Sequence, residues 1–173
     1  MREDINIFLT GRPGVGKTTV IMRVAEGIRS LAVGGFYTQE IRERGVRVGF
    51  KILTLDGRVG VLAHIKHGGA FRVGKYFVNL SDLEELGVGS ILDSLDKDVI
   101  IIDEVGKMEL FSGKFRDAVL RALDAGRVLG TIKLAGDEFT EKIRGRRDTE
   151  IIETTFQNRD MLVQELTERI LGR

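Results

Sequence analysis

An eight-residue segment with the pattern G-x-x-x-x-G-K-T stands near the start of the chain. It reads Gly-Arg-Pro-Gly-Val-Gly-Lys-Thr at residues 11–18, after the apolar run 5–9 and before a stretch with helical spacing. A strand, a glycine-rich loop and a helix in this order predict a phosphate-binding loop (P-loop), whose backbone N–H groups surround an anion. We expect the loop and the next threonine to bind a nucleotide through Gly11, Arg12, Pro13, Gly14, Val15, Gly16, Lys17, Thr18 and Thr19.

The stretch after the loop has the pattern of an amphipathic helix over residues 17–31. Its N-terminus faces the loop, where the helix dipole and unpaired first-turn amides favour phosphate. Lys17 is expected to reach the outer phosphates and to take part in catalysis, and Thr18 to bind Mg²⁺.

The rest of the chain alternates between strand and helix patterns. This predicts an α/β protein, a three-layer sandwich with a mostly parallel central sheet and antiparallel strands after the first helix. One domain over residues 1–173 accounts for the length. Strands are expected at 35–41, 46–55, 59–65, 72–78, 99–102, 128–132 and 150–154, and further helices at 83–95, 115–123 and 160–171, with Asn79 or Ser81 capping the first of these three.

Composition narrows the surroundings of the protein. The chain has no cysteine, which suits a reducing cytoplasm, and its net charge of +1 gives no global attraction to nucleic acid or to a membrane. Residues 1–4 lead straight into a strand pattern without a secretory segment. The high charged fraction and the scarcity of Asn and Gln favour a heat-adapted source. For the oligomeric state, a monomer is the default expectation.

A second landmark is the run Val-Ile-Ile-Ile-Asp-Glu at residues 99–104. Four β-branched residues predict a buried strand that delivers two carboxylates at its C-terminal end, where ligands of such sheets gather. We expect Asp103 to bind Mg²⁺ beside Thr18, and Glu104 to polarise a water behind the terminal phosphate. The alternative is a polar strand end that caps the next turn.

Taken together, these segments resemble the small nucleoside-triphosphatases of the cancer-related type, which also occur in thermophiles. The resemblance spans nearly the whole chain, and its most specific part is Asp-Glu-x-Gly-Lys-Met-Glu at 103–109. Other matching segments lie at 11–19, 35–40, 48–50, 54–57, 72–76, 102–112, 143–148 and 155–159. Asn79 replaces a more usual acid, and the connection from Arg58 to Arg72 is short.

The resemblance implies a RecA-like P-loop NTPase fold of the additional-strand type. It also implies slow, Mg²⁺-dependent hydrolysis of ATP, GTP, CTP and UTP to the diphosphate and phosphate, with loose base preference. Val105 and Gly106 then continue the nucleotide site, and Gly106 lets the chain turn away from the phosphates.

Glu109 is a third carboxylate on the chain that leaves this strand. It either assists Glu104 in catalysis or caps the helix that begins near Ser112. Lys107 is expected to face solvent rather than phosphate.

The cluster Arg-Gly-Arg-Arg at 144–147 is the candidate source of a second catalytic cation. Arg144 and Arg146 are the candidates for an arginine finger that stabilises transition-state charge, with Arg72 as a weaker competitor. The alternative is a solvated basic surface.

Three further groups of residues carry weaker signals. Thr131 ends a strand and either touches the terminal phosphate or is a plain strand-end residue. Thr155, Asn158 and Arg159 follow the last strand, where a loop can surround the nucleotide base, and the alternative for Asn158 is to cap the final helix. His64 and His67 lack a third ligand, so a structural role is favoured over a metal site.

Two other functional classes share the same loop. A nucleotide or small-metabolite kinase would need a second substrate pocket and an acceptor. A nucleotide-dependent switch would bind a partner differently in its diphosphate and triphosphate forms.

Overall fold

The structure of the protein is a computed structural model that describes residues 5–172. Within this range the strands are β1 (Asn6–Thr10), β2 (Val33–Glu43), β3 (Val46–Thr54), β4 (Val59–His64), β5 (Arg72–Val73), β6 (Tyr76–Val78), β7 (Val99–Val105), β8 (Val128–Ile132) and β9 (Thr149–Glu153). The α-helices are α1 (Lys17–Gly27), α2 (Leu80–Asp82), α3 (Gly89–Leu92), α4 (Gly113–Ala125), α5 (Glu138–Arg144) and α6 (Arg159–Leu171), with a π-helix at Leu83–Val88 and a 3₁₀ turn at Glu109–Phe111.

The strands form one sheet in the order β5-β6-β4-β3-β2-β7-β8-β1-β9. The five strands from β2 to β9 in this order pair in parallel, and β8 lies between the P-loop strand β1 and the acidic strand β7. This inserted strand is the additional-strand arrangement expected from the sequence, so the predicted fold is confirmed. Because the five strands are parallel, their C-terminal ends share one edge of the sheet.

The two faces of the central strands bury different apolar clusters. Ile7 and Leu9 of β1 pack with α1 and α6 on one face, whereas Phe8 packs with Phe115 of α4 on the other. This alternation follows from the two-residue period of a strand. The result is the expected three-layer sandwich, with the middle layer apolar on both sides.

Several local expectations are corrected. The strand expected at 72–78 is a hairpin of β5 and β6, because Gly74 adopts φ 57° and turns the chain. Helix α5 was not predicted, and it begins with a capping box between Asp137 and Thr140. Asn79 rather than Ser81 caps the helical run that follows it, since its side chain accepts from the Asp82 N–H.

Among residues 5–172, no helix is both long and apolar enough to cross a membrane. The expectation about a secretory segment concerns residues 1–4, which lie outside the described range.

Candidate active site

The P-loop joins the end of β1 to the start of α1. Gly11, Gly14 and Gly16 have φ values of 144°, 79° and 102°, conformations that L side chains rarely adopt. A β-carbon on Gly11 would also lie 2.6 Å from the carbonyl oxygen of Thr154, after β9. The Lys17 Nζ donates to the Gly11 carbonyl at 2.9 Å. The glycines are therefore required by the shape of the loop and by its contact with the neighbouring strand end.

Asp103 lies beside the first turn of α1. Its Oδ2 accepts from the Thr18 hydroxyl at 2.9 Å and from the Thr38 N–H at 3.3 Å, while its Oδ1 accepts from the Thr131 hydroxyl at 2.6 Å. Burial raises the pKa of Asp103 above its usual value. These hydrogen bonds and the charge of Lys17 lower the pKa, but they offset only part of the effect of burial. The structure thus brings the P-loop and the acidic strand together at one edge of the sheet.

Thr131 holds the Asp103 carboxylate and is itself fully buried. Its hydroxyl is therefore committed to the aspartate rather than projecting toward a phosphate. The Thr38 amide was missed from the sequence, because a backbone N–H has no residue signature and only the pairing of β2 with β7 brings it to Asp103.

Glu104 and Glu109 both approach Gly106. A β-carbon on this glycine would lie 2.5 Å from Glu104 Oε1 and 3.0 Å from Glu109 Oε2, so any larger residue would displace the carboxylates. Burial first, and then the charge of Asp103, raise the pKa of Glu104. Burial first, and then the charge of Glu104, hold the pKa of Glu109 well above its usual range. Asp103, Glu104 and Glu109 therefore form one acidic cluster.

Glu109 does not cap the helix near Ser112. Ser112 itself caps α4, because its hydroxyl accepts from the Phe115 N–H at 3.1 Å. The Glu109 side chain is instead buried in the 3₁₀ turn, beside Glu104. The expectation that Glu109 caps the helix is therefore excluded, and the remaining expectation is that it assists Glu104.

The structure corrects the expectation for Arg146. Its guanidinium binds Asp148 and Asp124 at 2.7 and 3.0 Å, and the Asp148 carbonyl accepts from the N–H of Asn6, the first residue of β1. The P-loop follows the last residue of β1, so Arg146 lies at the opposite edge of the sheet. Its ion pairs stabilise that edge and do not face the phosphates.

We expect Arg146→Ala to hydrolyse nucleotide near the parent rate but to unfold more easily. Loss of a partly exposed ion-pair network costs roughly 1 kcal/mol, or about 2–4 °C in melting temperature. Thermal denaturation and phosphate release on the same preparation check both points. A collapse of the rate with unchanged melting would return Arg146 to the active site.

Arg144 lies nearer to the acidic edge. Its Nη2 donates to the carbonyl of Lys133 at 2.6 Å, two residues beyond Thr131. The side chain is largely buried and also faces Glu141. Of the two arginine candidates, Arg144 is the one whose guanidinium lies at the C-terminal edge of the sheet, where Asp103 also lies.

Asn158 occupies the N-cap position of α6, but its side chain turns away from the helix. Its Oδ1 accepts from the Thr155 N–H at 2.8 Å, and its Nδ2 donates to the Glu153 carbonyl at 2.8 Å. Asn158 therefore fixes the turn between β9 and α6 rather than capping the helix through its side chain.

Phe156 in the same turn was missed from the sequence, whereas Arg159 was expected near the base. The Arg159 guanidinium lies 5.2 Å from the centre of the Phe156 ring, and its Nη1 donates to the carbonyl of Val15 in the P-loop at 3.2 Å. Phe156 is 66% exposed despite its size. The signal that could have been used is the position of Phe156 in the sequence, beside residues expected near the base.

His64 takes part in a turn of the backbone. His64 Nδ1 accepts from the Lys66 N–H at 3.1 Å within a tight turn. In the described part of the chain, no group of three or more His, Cys, Asp or Glu side chains could hold a metal ion.

The sheet order, the P-loop and the Asp103–Glu104 pair define an additional-strand P-loop nucleotide-binding protein. The model of the family described as NTPase matches residues 6–167. The chain belongs to this NTPase family.

Relatives and solved structures agree with this assignment. The chain is 51% identical over 164 residues to the nucleoside-triphosphatase THEP1 of Thermotoga sp. (strain RQ2), covering 94% of this chain and 93% of that protein. It is 40% identical over 179 positions to the cancer-related nucleoside-triphosphatase homolog of Mus musculus, covering 93% of this chain and 94% of that protein. The crystal structure of THEP1 from the hyperthermophile Aquifex aeolicus superposes with a TM-score of 0.85 at 34% identity, covering 94% of this chain and 96% of that one. The solution structure of a human cancer-related nucleoside triphosphatase superposes with a TM-score of 0.83 at 37% sequence identity, covering 97% of this chain and 98% of that one.

Proposed function

We propose that this nucleoside-triphosphatase binds the triphosphate on its P-loop, uses Mg²⁺ beside Thr18 and Asp103, and hydrolyses the terminal phosphate with a water activated by Glu104. The observation that carries this proposal is the 2.9 Å hydrogen bond from Thr18 to Asp103. This bond joins Thr18, which follows the P-loop lysine, to Asp103, which precedes Glu104.

The oxygens around Asp103 fit Mg²⁺. A carboxylate and a hydroxyl within hydrogen-bond distance are hard oxygen donors, and Asp103 has no basic side chain in ion-pair contact with it among residues 5–172. Thr18 and Asp103 would hold the ion, with the triphosphate supplying further oxygens. When bound, Mg²⁺ neutralises charge that develops on the phosphate oxygens.

Glu104 is the proposed general base. Its carboxylate takes a proton from water as the water oxygen bonds to the terminal phosphorus. The bond from that phosphorus to the bridging oxygen breaks, and the diphosphate leaves. Lys17 stabilises the outer phosphates during this step, as expected of a P-loop lysine.

Arg144 remains the proposed further cation. Its place near Lys133 and Thr131 supports this role, although its guanidinium is hydrogen-bonded there. Replacing Arg144 by alanine would slow phosphate release by about a thousandfold or more if the residue stabilises the transition state.

Phe156 and Arg159 support loose base preference. A flat ring and a guanidinium can stack on any base, because every base has a π-face. Nothing in this pair selects among ATP, GTP, CTP and UTP by hydrogen bonding. We place the base near this pair, with Asn158 fixing the turn that presents it.

The direct test of the proposed function is phosphate release from each of the four triphosphates with Mg²⁺ and without any acceptor. Release above the no-protein control is expected for all four. A kinase would instead show release or transfer only after an acceptor is added. Absence of acceptor-free release would reject the hydrolase mechanism.

The acid side of the pH profile tests the roles of the two glutamates. Phosphate release should fall as the pH is lowered through the raised pKa of Glu104, because protonated Glu104 accepts no proton. Burial and the charge of Asp103 raise the pKa of Glu104, and burial holds the pKa of Glu109 well above its usual range, so we take Glu109 as the protonated member of the pair. In Glu109→Gln a neutral amide replaces that protonated group, and the midpoint should not move.

The measurement is the pH dependence of phosphate release in the parent, in Glu109→Gln and in the exposed control Glu85→Gln. A shift of the Glu109→Gln midpoint to lower pH by about one unit would show that Glu109 is charged in the working enzyme.

The relatives named from Thermotoga and Aquifex agree with a heat-adapted source, which we propose together with a cytoplasmic location. A monomer remains the proposed state, and sedimentation at working concentration would test it.

A further inference from the structure

A cavity of about 680 Å³ opens beside the acidic cluster, and no P-loop residue lines it. One wall is Lys107 and Leu110, on either side of Glu109 in the chain, and another includes Lys133, just beyond Thr131. The volume is typical of small-molecule sites. The cavity therefore adjoins the catalytic edge but is separate from the nucleotide loop.

The charges that line the cavity are mainly positive. Two of its lysines are paired with its two acids, Lys133 with Asp137 at 2.6 Å and Lys142 with Glu138 at 3.0 Å. The other three cations are Arg72, Lys107 and Arg116, and none forms an ion pair with any described residue. Three unpaired cations around one concavity create a local positive potential, which the near-zero net charge of the chain does not reveal.

Two of these cations are partly oriented by the protein. Arg116 Nη1 donates to the Leu110 carbonyl at 3.1 Å, and the Arg72 guanidinium lies 5.4 Å from the centre of the Phe77 ring. Each guanidinium still has N–H groups without a partner, in a planar arrangement suited to two oxygens of one phosphate.

An aromatic surface borders the same cavity. Phe111 lines it and is 38% exposed, and its ring centre lies 5.2 Å from that of Phe71, which is 39% exposed. Large aromatic side chains usually bury their area, so two partly exposed rings in contact form a surface for a flat ligand. Phosphate-binding cations next to an aromatic surface match a molecule that carries both a phosphate and an aromatic ring.

We propose that this cavity is a second ligand site, which takes a phosphate-bearing aromatic molecule of mononucleotide size. Arg116, Lys107 and Arg72 bind its phosphate, and Phe111 stacks on its ring. The site is separate from the triphosphate on the P-loop, and both can be filled at once. The volume of about 680 Å³ favours a single nucleotide over a longer strand.

The test uses AMP as the probe on ¹⁵N-labelled full-length protein, with Mg²⁺ and a non-hydrolysable ATP analogue at saturation. Because the analogue fills the P-loop, further shifts report a second site. Saturable shifts are expected for the amides of Lys107, Phe111 and Arg116. Shifts confined to residues 11–19, or no saturable shift, would overturn the proposal.

Variants assign the contacts. Arg116→Gln and Phe111→Leu should each weaken the affinity for AMP by about tenfold. The first removes a charged hydrogen bond to the phosphate, and the second removes a stacking contact with the ring. The matched control is Arg121→Gln, an exposed arginine on the same helix that does not line the cavity, and it should bind AMP like the parent. Equal AMP affinity in Arg116→Gln, Phe111→Leu and the parent would overturn the site.

A ten-nucleotide single strand provides the last comparison. Weaker or equal binding of the strand supports a mononucleotide site, whereas much tighter binding would make the surface one for nucleic acid and reject the assignment. Acceptor-free phosphate release is measured on the same preparations. A parent protein that releases phosphate but does not bind AMP would therefore reject only the second site.

Discussion

Glu104→Gln should bind triphosphate as the parent does but hydrolyse it about 10²–10⁴ times more slowly. The substitution keeps the shape of the side chain and removes its ability to accept a proton, and general-base catalysis typically contributes this factor. Binding should persist, because the P-loop and its glycines do not depend on the Glu104 charge. Stopped-flow or filter binding of labelled ATP, beside single-turnover phosphate release, separates the two quantities.

The matched control is Glu85→Gln, an exposed glutamate outside the acidic cluster, which should retain the parent rate. A Glu104→Gln protein that hydrolyses at the parent rate would exclude Glu104 as the base. Equal loss of binding and hydrolysis would instead point to a structural role for the carboxylate.

Lys17→Ala should lose both triphosphate binding and hydrolysis. The ammonium group reaches the outer phosphates in the ground state and in the transition state, so its removal affects both. Loss of one such preorganised contact lowers the rate by about 10²–10³, and the weaker binding adds to this in kcat/KM.

The comparison variant is Lys114→Ala, whose lysine is 74% exposed and pairs with Glu84. It should change neither quantity. The contrast between Lys17→Ala and Glu104→Gln is informative, because only the first should lose affinity. If both variants kept triphosphate affinity, the P-loop would not be the phosphate site.

The P-loop and the acidic strand could be placed from the sequence because each has a local signature. The glycines of 11–16 fix the loop, and the four β-branched residues at 99–102 favour a buried strand. Both follow strands of a parallel sheet, whose ends share an edge, so their meeting follows from topology. The contact between Thr18 and Asp103 agrees with this reasoning.

Other residues could not be placed because their roles depend on distances between segments. Arg146 follows α5 and pairs with Asp148 at the start of β9, but the sequence does not tell which edge of the sheet this turn approaches. The burial of Glu109 depends on how the 3₁₀ turn folds back over Gly106. The cationic cavity could not be recognised from the sequence, because its walls come from segments far apart in the chain.

The most direct test of the central claim is a crystal structure of Glu104→Gln with Mg²⁺ and ATP. We predict unhydrolysed triphosphate along residues 11–18, the metal against Thr18 Oγ1 and Asp103, and a water between residue 104 and the terminal phosphorus. A metal bound away from Thr18 and Asp103, or a triphosphate bound outside the P-loop, would contradict the account.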